Sequence, residues 1–250
     1  MNGLASSFRR TTRVLVAGAA GVSLLGGAAC DGGKPKPPTP PVPPTPRAEA
    51  TAPPPPALTN APPMPPSAPR TPVEFFQAGM KLWNGKGAAR DPAEAVKLFL
   101  TAAERGHLEA QAQLGAAYRT GVGVGKNPEE MVRWFRAAAE HGDARSQGVL
   151  ASLYGTGEGV PQDLTEAVKW YRLAAEQGLV RAQANLGAMY FLGQGTAKNP
   201  VEAYKWLHLA ATKGDQEAVK NRGLVALKLS APQMAEGRKR AAEFVPHKPQ

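Results

Sequence analysis

The feature that most constrains this chain is an internal repeat with a constant period of 36 residues. Glycines recur at this spacing in three registers, with no insertion or deletion between copies. The registers are Gly85, Gly121, Gly157 and Gly193; Gly87, Gly123, Gly159 and Gly195; and Gly106, Gly142, Gly178 and Gly214. A single unit of this length cannot bury its own apolar side, so consecutive units are expected to stack and share a continuous core.

Each unit has the pattern of a helix, a Gly-rich turn and a second helix. An Asp or Asn precedes each second helix and a Glu follows it three residues later. These pairs are Asp91 and Glu94, Asn127 and Glu130, Asp163 and Glu166, and Asn199 and Glu202. The Asp or Asn side chain is predicted to cap the helix, and the Glu to complete a capping box. The glycines of the third register are predicted to end these helices in left-handed Schellman or related motifs.

The first helix of each unit carries its apolar residues on one face. Leu114 and Tyr118 are four residues apart, as are the equivalent pairs in the next two units. Gly115 and Gly187 fall inside these helices, where Gly is unfavourable by roughly 1 kcal/mol relative to Ala, so we expect close backbone approach there to compensate.

These patterns predict an all-α fold: a right-handed α/α superhelix, or solenoid, of four 36-residue helix-turn-helix repeats. The repeats are expected to occupy residues 73–218. Residues 219–250 are expected to form a C-terminal capping helix and tail, with the helix at 231–244 and a capping-box spacing from Ser230 to Gln233.

The registers resemble the Sel-one-like repeat family, whose members are related to tetratricopeptide repeats. The resemblance rests on the Leu-Gly-x-x-Tyr stretch at 114–118, the Gly-x-Gly turns and the Trp-Tyr-x-x-Ala-Ala run at 170–175, and it extends from residue 75 to about 244. The first unit is degenerate, as suits a terminal repeat. Family members often carry a Cys pair in each repeat. None occurs here, so packing has to hold this body together.

The amino terminus has the pattern of an export signal. Three arginines precede an uncharged run from Val14 to Ala29, which is shorter than the roughly 20 residues a membrane span needs. We therefore predict a signal peptide at 1–29. The stretch 25–30 resembles the lipobox of bacterial lipoproteins, although Gly27 stands where Leu is usual. The resemblance implies lipidation of Cys30, the only cysteine, and a lipid-anchored protein of the cell envelope facing the periplasm or the exterior. Inner and outer membrane both stay open.

Residues 30–72 are predicted to be a Pro-rich linker. Between residues 35 and 72 lie 18 of the 25 prolines, and Pro lacks the backbone donor that helices and sheets require. Such a segment favours extended polyproline II. The linker is interpreted as a spacer from a surface; the alternative is a ligand for a proline-recognition domain.

The net charge of +10 does not indicate a nucleic-acid partner. Residues 73–218 contain 16 basic and 16 acidic side chains, so the excess lies towards the two ends of the chain. The densest basic run, 238–240, is interpreted as a solvated helix face, with weak attraction to anionic lipid as the alternative.

The sequence contains no pattern typical of a catalytic or cofactor site. The Gly-rich stretch 121–126 lacks the Walker spacing, and the four histidines include no pair four residues apart. The recurrent carboxylates are assigned to helix caps, and no Gly-x-Ser-x-Gly elbow is present. We therefore expect a non-enzyme without cofactor or metal.

By resemblance to tetratricopeptide repeats, the first helix of each unit is expected to line a concave groove. Eight residues of that face are candidates for partner binding: Gln77, Met80, Trp83, Gln113, Arg119, Val149, Asn185 and Phe191. Trp and Arg are frequent in binding hot spots. The alternative for Trp83 and Phe191 is that they complete the core.

The leading hypothesis is a monomeric, membrane-tethered adaptor that binds a protein or peptide in this groove. Two alternatives remain. One is an enzyme that acts on cell-wall material or β-lactam antibiotics, as has been proposed for some Sel-one-like proteins. The other is a protein that binds peptidoglycan.

Overall fold

The computed structural model describes residues 71–87 and 89–247. The predicted signal peptide, Cys30 and the linker up to residue 70 lie outside the described residues. Within the described ranges there are ten α-helices and no strand. They are α1 (Pro72–Asn84), α2 (Pro92–Glu104), α3 (Leu108–Thr120), α4 (Pro128–Glu140), α5 (Ala144–Thr156), α6 (Leu164–Glu176), α7 (Val180–Leu192), α8 (Pro200–Thr212), α9 (Gln216–Ala226) and α10 (Ala231–Ala242).

The first eight helices form four hairpins that stack in chain order. Within a hairpin the two helices pack against each other, and the second helix of each hairpin also packs on the first helix of the next. The core passes from one repeat to another in the same way: Trp134 of the second hairpin lies in a cluster with Phe99 of the first, and Trp206 of the fourth lies with Tyr171 of the third. The predicted all-α solenoid of four repeats is confirmed.

The helix ends agree with the sequence prediction except at the glutamates. Asp91 Oδ1 accepts hydrogen bonds from the backbone N–H groups of Ala93 and Glu94, and the caps at the other three second helices work similarly. A full capping box forms only at Thr71 with Glu74 and at Ser230 with Gln233 among the described helices.

The four predicted capping-box glutamates bind basic side chains instead. Glu94, for example, pairs with Lys97 at 2.8 Å, and each of the other three has a Lys or Arg at the same spacing. The capping-box prediction is therefore wrong for these four helices. An oppositely charged partner three residues along the same helix competes with the backbone N–H of the cap.

The third-register glycines close Schellman motifs, as predicted. Gly106 N–H donates to the Ala103 carbonyl and His107 N–H to the Ala102 carbonyl, both at 3.0 Å. Gly106 has φ of 83°, a left-handed conformation that suits Gly. The three later copies repeat this pattern.

Interior glycines mark close contact between the helices of a hairpin. A Cβ atom on Gly115 would lie 2.9 Å from the ring of Phe135, and one on Gly187 would lie 2.7 Å from Leu207 Cγ. At Gly187 the expected backbone approach is found, with the Ala203 carbonyl oxygen 3.1 Å from the missing Cβ, whereas at Gly115 the nearest atoms belong to the Phe135 ring. This close packing accounts for Gly at positions where a helix otherwise prefers Ala.

The two ends of the array differ from the predicted boundaries. Pro72, assigned to the linker, is the first residue of α1, where Pro is well tolerated. At the other end, the predicted boundary at residue 218 lies inside α9, which Asp215 caps. The closing helix α10 packs on α8, and Gly237 approaches Tyr204.

Candidate functional site

The eight candidate residues lie on the first helices of the four hairpins, and we call this set the A-face strip. Three of them, Gln77, Arg119 and Asn185, are exposed. The other five are half-buried: Met80, Trp83, Gln113, Val149 and Phe191. The strip is therefore a surface with apolar side chains partly sunk into it.

The largest side chains of the strip rest on core residues at equivalent positions. The Trp83 ring lies 5.8 Å from that of Phe99, and the Arg119 guanidinium lies 6.0 Å from the centroid of Phe135. Phe191 packs against the cluster that contains Leu207. Phe99 and Phe135 are 36 residues apart and Leu207 follows 72 residues later, so these three residues share one register of the repeat. Trp83 and Phe191 thus contact the core while remaining partly accessible.

Tyr171 of α6 interacts with residues of two helices that carry the A-face strip, α5 and α7. This side chain of α6 is 9% exposed, and its hydroxyl forms hydrogen bonds with Ser152 of α5 and Asn185 of α7. Burial raises the pKa of the Tyr171 phenol, and the two hydrogen bonds offset part of that rise. The phenol is therefore neutral at physiological pH.

A buried series of glutamines is one feature that the sequence analysis missed. Gln111, Gln147 and Gln183 are each at most 5% exposed. Each donates from Nε2 to a carbonyl in the last turn of the preceding helix, at Ala103, Ala139 and Ala175. Their 36-residue spacing was a visible signal. The bonds tie the end of one repeat to the beginning of the next.

A second missed feature joins neighbouring repeats through arginine and tyrosine. Arg136 donates to the Tyr154 hydroxyl at 2.6 Å, and Arg172 donates to the Tyr190 hydroxyl at 2.7 Å. The sequence analysis placed the tyrosines on the apolar face of the first helices but did not identify the matching arginines. These pairs keep each tyrosine half-buried with its polar end satisfied.

A shallow depression of about 770 Å³ lies beside the turn of the third hairpin, lined by residues that include Asn127, Glu129 and Pro161. The described residues contain no cluster of three or more His, Cys, Asp or Glu side chains that could hold a metal. None of the helices described is both long and apolar enough to cross a membrane.

Four stacked helical hairpins with a shared core define an α-solenoid repeat protein. A family model, the Sel1 repeat, matches residues 76–107, 108–143, 144–179 and 180–215. The chain belongs to the Sel1 repeat family.

Solved structures of the same kind are similar to it. A Sel1 repeat protein from Oxalobacter formigenes is 33% identical with a TM-score of 0.63, and the alignment covers 73% of this chain and 77% of that one. The c5321 protein, a protective antigen present in uropathogenic Escherichia coli strains that displays an SLR fold, is 28% identical with a TM-score of 0.48. That alignment covers 70% of this chain and 45% of c5321. Cysteine-rich protein B of Helicobacter pylori is 21% identical, with a TM-score of 0.42 and coverage of 54% and 98%.

A search of curated proteins gives no match to the sequence. Sel1-repeat proteins typically mediate protein–protein interactions, and the similar repeat scaffolds are typically non-enzymatic. The family therefore gives the general class of function, while the partner and the location have to be inferred from this chain.

Proposed function

We propose that this protein is a membrane-tethered adaptor of the cell envelope that binds a protein or peptide along the A-face strip. The observation that carries the proposal is the position of Trp83 and Arg119 over Phe99 and Phe135. A side chain supported by the core on one side loses little conformational entropy when a partner covers the other side. Trp and Arg held in this way are typical hot-spot residues.

The chemistry of the strip favours a segment with both apolar and hydrogen-bonding groups. Gln77, Gln113 and Asn185 offer amides that can donate and accept, and Arg119 is the single charged member of the set. An amide-rich surface pairs well with the backbone of an extended or helical segment. The strip has no series of basic residues that would select an acidic partner by charge.

The proposed tether rests on the sequence of the first 72 residues. Cleavage before Cys30 and its lipidation would leave a Pro-rich spacer ahead of α1. At about 3.1 Å per residue, a polyproline II spacer of this length reaches on the order of 100 Å. The repeat array could then bind partners well away from the lipid surface.

The partner-binding proposal is tested by affinity capture from native membranes. The bait is the full chain, compared with a variant that combines Trp83→Ala, Arg119→Ala and Phe191→Ala. We expect a defined partner to be retained by the wild type and to be reduced at least tenfold by the variant. A matched control is Lys97→Ala, since Lys97 is 74% exposed on α2 and lies outside the strip. Equal retention by the triple variant, with its helical content intact, would contradict the proposal.

The tether is tested separately through Cys30. In cells fed a labelled fatty acid, the wild-type chain should incorporate label and partition into the detergent phase. Cys30→Ser should abolish both. A wild-type chain that carries no lipid and partitions into the aqueous phase would contradict tethering and leave the A-face proposal standing.

A further inference from the structure

The segment after α10 packs as an extended peptide on the second helices of the third and fourth hairpins. Phe244 meets the Trp206 ring edge-on, with 5.3 Å between centroids and an interplanar angle of 70°. His247 donates its backbone N–H to the Glu176 carbonyl, at the end of α6, at 2.9 Å. Pro246 Cβ lies 3.5 Å from the position that a Cβ of Gly178 would occupy. Residues 244–247 are thus bound through an aromatic ring, a proline and one backbone hydrogen bond.

A lysine completes this contact. Lys205 Nζ lies 4.4 Å from the Trp206 centroid and 5.9 Å from that of Phe244, so the cation borders both rings. With the tail in place, Trp206 is 4% exposed and the Lys205 side chain is 18% exposed. We call the surface formed by Glu176, Gly178, Lys205 and Trp206 the tail site.

An equivalent set of residues lies one repeat earlier, and none of the described residues packs on it as the tail packs on the tail site. Its members, 36 residues before those of the tail site, are Glu140, Gly142, Lys169 and Trp170. Here Trp170 is half-buried, and the Lys169 side chain is 61% exposed. We call this surface the vacant site.

The backbone of the vacant site has the geometry of the occupied one. Gly142 and Gly178 have φ of 91° and 86°, and each closes a Schellman motif. Gln177 donates to the Gly142 carbonyl at 3.0 Å, just as Lys213 donates to the Gly178 carbonyl at 3.1 Å. The Glu140 carbonyl ends α4 as the Glu176 carbonyl ends α6, so it is placed to accept the same backbone bond.

The junction between the first and second hairpins does not provide a third such surface. Trp134 is only 5% exposed there, and its Nε1 already donates to Glu130 Oε2 at 3.0 Å. Arg133 also covers the ring, with 5.0 Å between its guanidinium carbon and the centroid. An incoming aromatic side chain would find no free ring edge.

We propose that the vacant site binds an extended segment of a partner protein with the chemistry of residues 244–247. The segment carries an aromatic residue, a proline two positions later and a free backbone N–H on the next residue. The aromatic ring packs on Trp170 beside Lys169, the proline packs on Gly142, and the N–H donates to the Glu140 carbonyl. This surface belongs to the second helices of the hairpins and does not depend on the A-face strip.

The test uses a fluorescent synthetic peptide with the sequence of residues 241–250, titrated against the full chain in detergent micelles by fluorescence anisotropy. We expect saturable binding of one peptide per chain. Changing Phe244→Ala in the peptide should weaken binding at least tenfold, because the ring supplies most of the apolar contact. On the protein, Trp170→Ala should weaken it to the same extent.

Two further variants of the protein test the role of Lys169 in peptide binding and provide a control outside the vacant site. Lys169→Ala, at an exposed position, should weaken binding a few-fold without affecting folding. Lys97→Ala, at the equivalent exposed position of the first hairpin, should leave binding unchanged. No saturable binding, or equal binding by Trp170→Ala and wild type, would overturn the proposal.

A photo-crosslinking form of the peptide distinguishes the two sites. With benzoylphenylalanine in place of Phe244, the crosslink should map to α6, around Trp170. A crosslink that maps to α8, around Trp206, would show that the peptide displaces the chain's own tail, and it would overturn the vacant site.

Discussion

Four glycines occupy equivalent positions within the first helices of repeats, and they differ in what surrounds them. Gly79, Gly115 and Gly187 each face a bulky side chain of the next helix within 3.0 Å of the missing Cβ. Gly223, at the same register in α9, has nothing within 4 Å. The first three allow a close helix crossing, whereas Gly223 carries the unfavourable helix propensity of Gly without that compensation.

Replacing Gly115 and Gly223 by Ala should therefore have opposite effects. Gly115→Ala forces a Cβ against the Phe135 ring and should lower the free energy of unfolding by about 1–3 kcal/mol. Gly223→Ala should raise it by about 0.5–1 kcal/mol, because the helix gains propensity and nothing collides. Urea unfolding followed by circular dichroism measures both. Equal shifts in the same direction would show that the close crossing is not what selects Gly.

Tyr171 should make the protein sensitive to high pH. Burial raises its pKa above 10, so the folded state binds the phenolic proton more tightly than the unfolded state does. The stabilisation it gives is complete below pH 10 and is lost as the pH rises through the pKa of the folded state. Tyr171→Phe should lower stability by about 1 kcal/mol at pH 7, through loss of its hydrogen bonds.

The difference in stability between the wild type and Tyr171→Phe should then become smaller above pH 10, because only the wild type has a buried phenol to ionise. Thermal unfolding from pH 7 to pH 11 measures this. A difference that stays constant over the whole range would contradict a buried, neutral phenol at this position.

Among the helices, the buried glutamines connect one repeat to the next in two ways. Gln147 uses both ends of its amide, because its Oε1 also accepts from Gln177 Nε2 at 2.8 Å. Gln183 donates to the Ala175 carbonyl in the same manner, but its Oε1 has no hydrogen-bond partner among the described residues. A buried acceptor without a partner is unfavourable.

Substitution by leucine, which is similar in volume, should separate these two contributions. Gln147→Leu loses both hydrogen bonds and removes one partner of Gln177, so it should destabilise by roughly 1–3 kcal/mol. Gln183→Leu loses one bond and also removes the unpartnered oxygen, so its effect should be about 1 kcal/mol smaller. Chemical denaturation of the two variants beside wild type makes the comparison. A larger loss for Gln183→Leu would indicate that its oxygen is well satisfied in solution.

How far the helices could be predicted depends on whether their contacts repeat. The period placed α1 to α8 because an Asp or Asn cap precedes each second helix and glycines follow all eight helices. It did not predict that Glu94 would pair with Lys97 instead of the backbone N–H of its N-cap residue. The Glu-x-x-Lys spacing that allows this pair is nevertheless present in the sequence. It also missed α9, where Asp215 keeps the cap but the later glycine markers are lost.

The candidate site was predictable in position but not in burial. The register assigns Trp83, Arg119 and Phe191 to equivalent places on the first helices. Their degree of exposure depends on the second-helix residues beneath them, which come from about 16 positions further along the chain. The tail contact was not predictable at all, because residues 244–247 occur once and follow no period.

At the scale of the whole array, each described hairpin packs mainly on its neighbours in the chain. The free energy of unfolding is therefore expected to be a sum of terms from single hairpins and from the interfaces between neighbours. The fourth hairpin depends on α10 and the tail, which cover Tyr204 and Trp206 of α8. Within the described residues, α10 packs on α8, and the tail contacts residues of α6 and α8. Destabilisation at the carboxyl end should therefore affect the third and fourth hairpins and leave the first two unchanged.

Deleting residues 230–250 tests this directly. The deletion exposes the apolar side of α8 and removes the bond from His247 to the Glu176 carbonyl. We expect amide hydrogen exchange, measured by mass spectrometry, to accelerate at least tenfold in α6 to α9 while α1 to α4 keep their protection. Because the energy of a stacked array is a sum of units and nearest-neighbour interfaces, the effect should fade within two hairpins. Faster exchange spread evenly from α1 to α9 would instead mean that the array unfolds as one cooperative block.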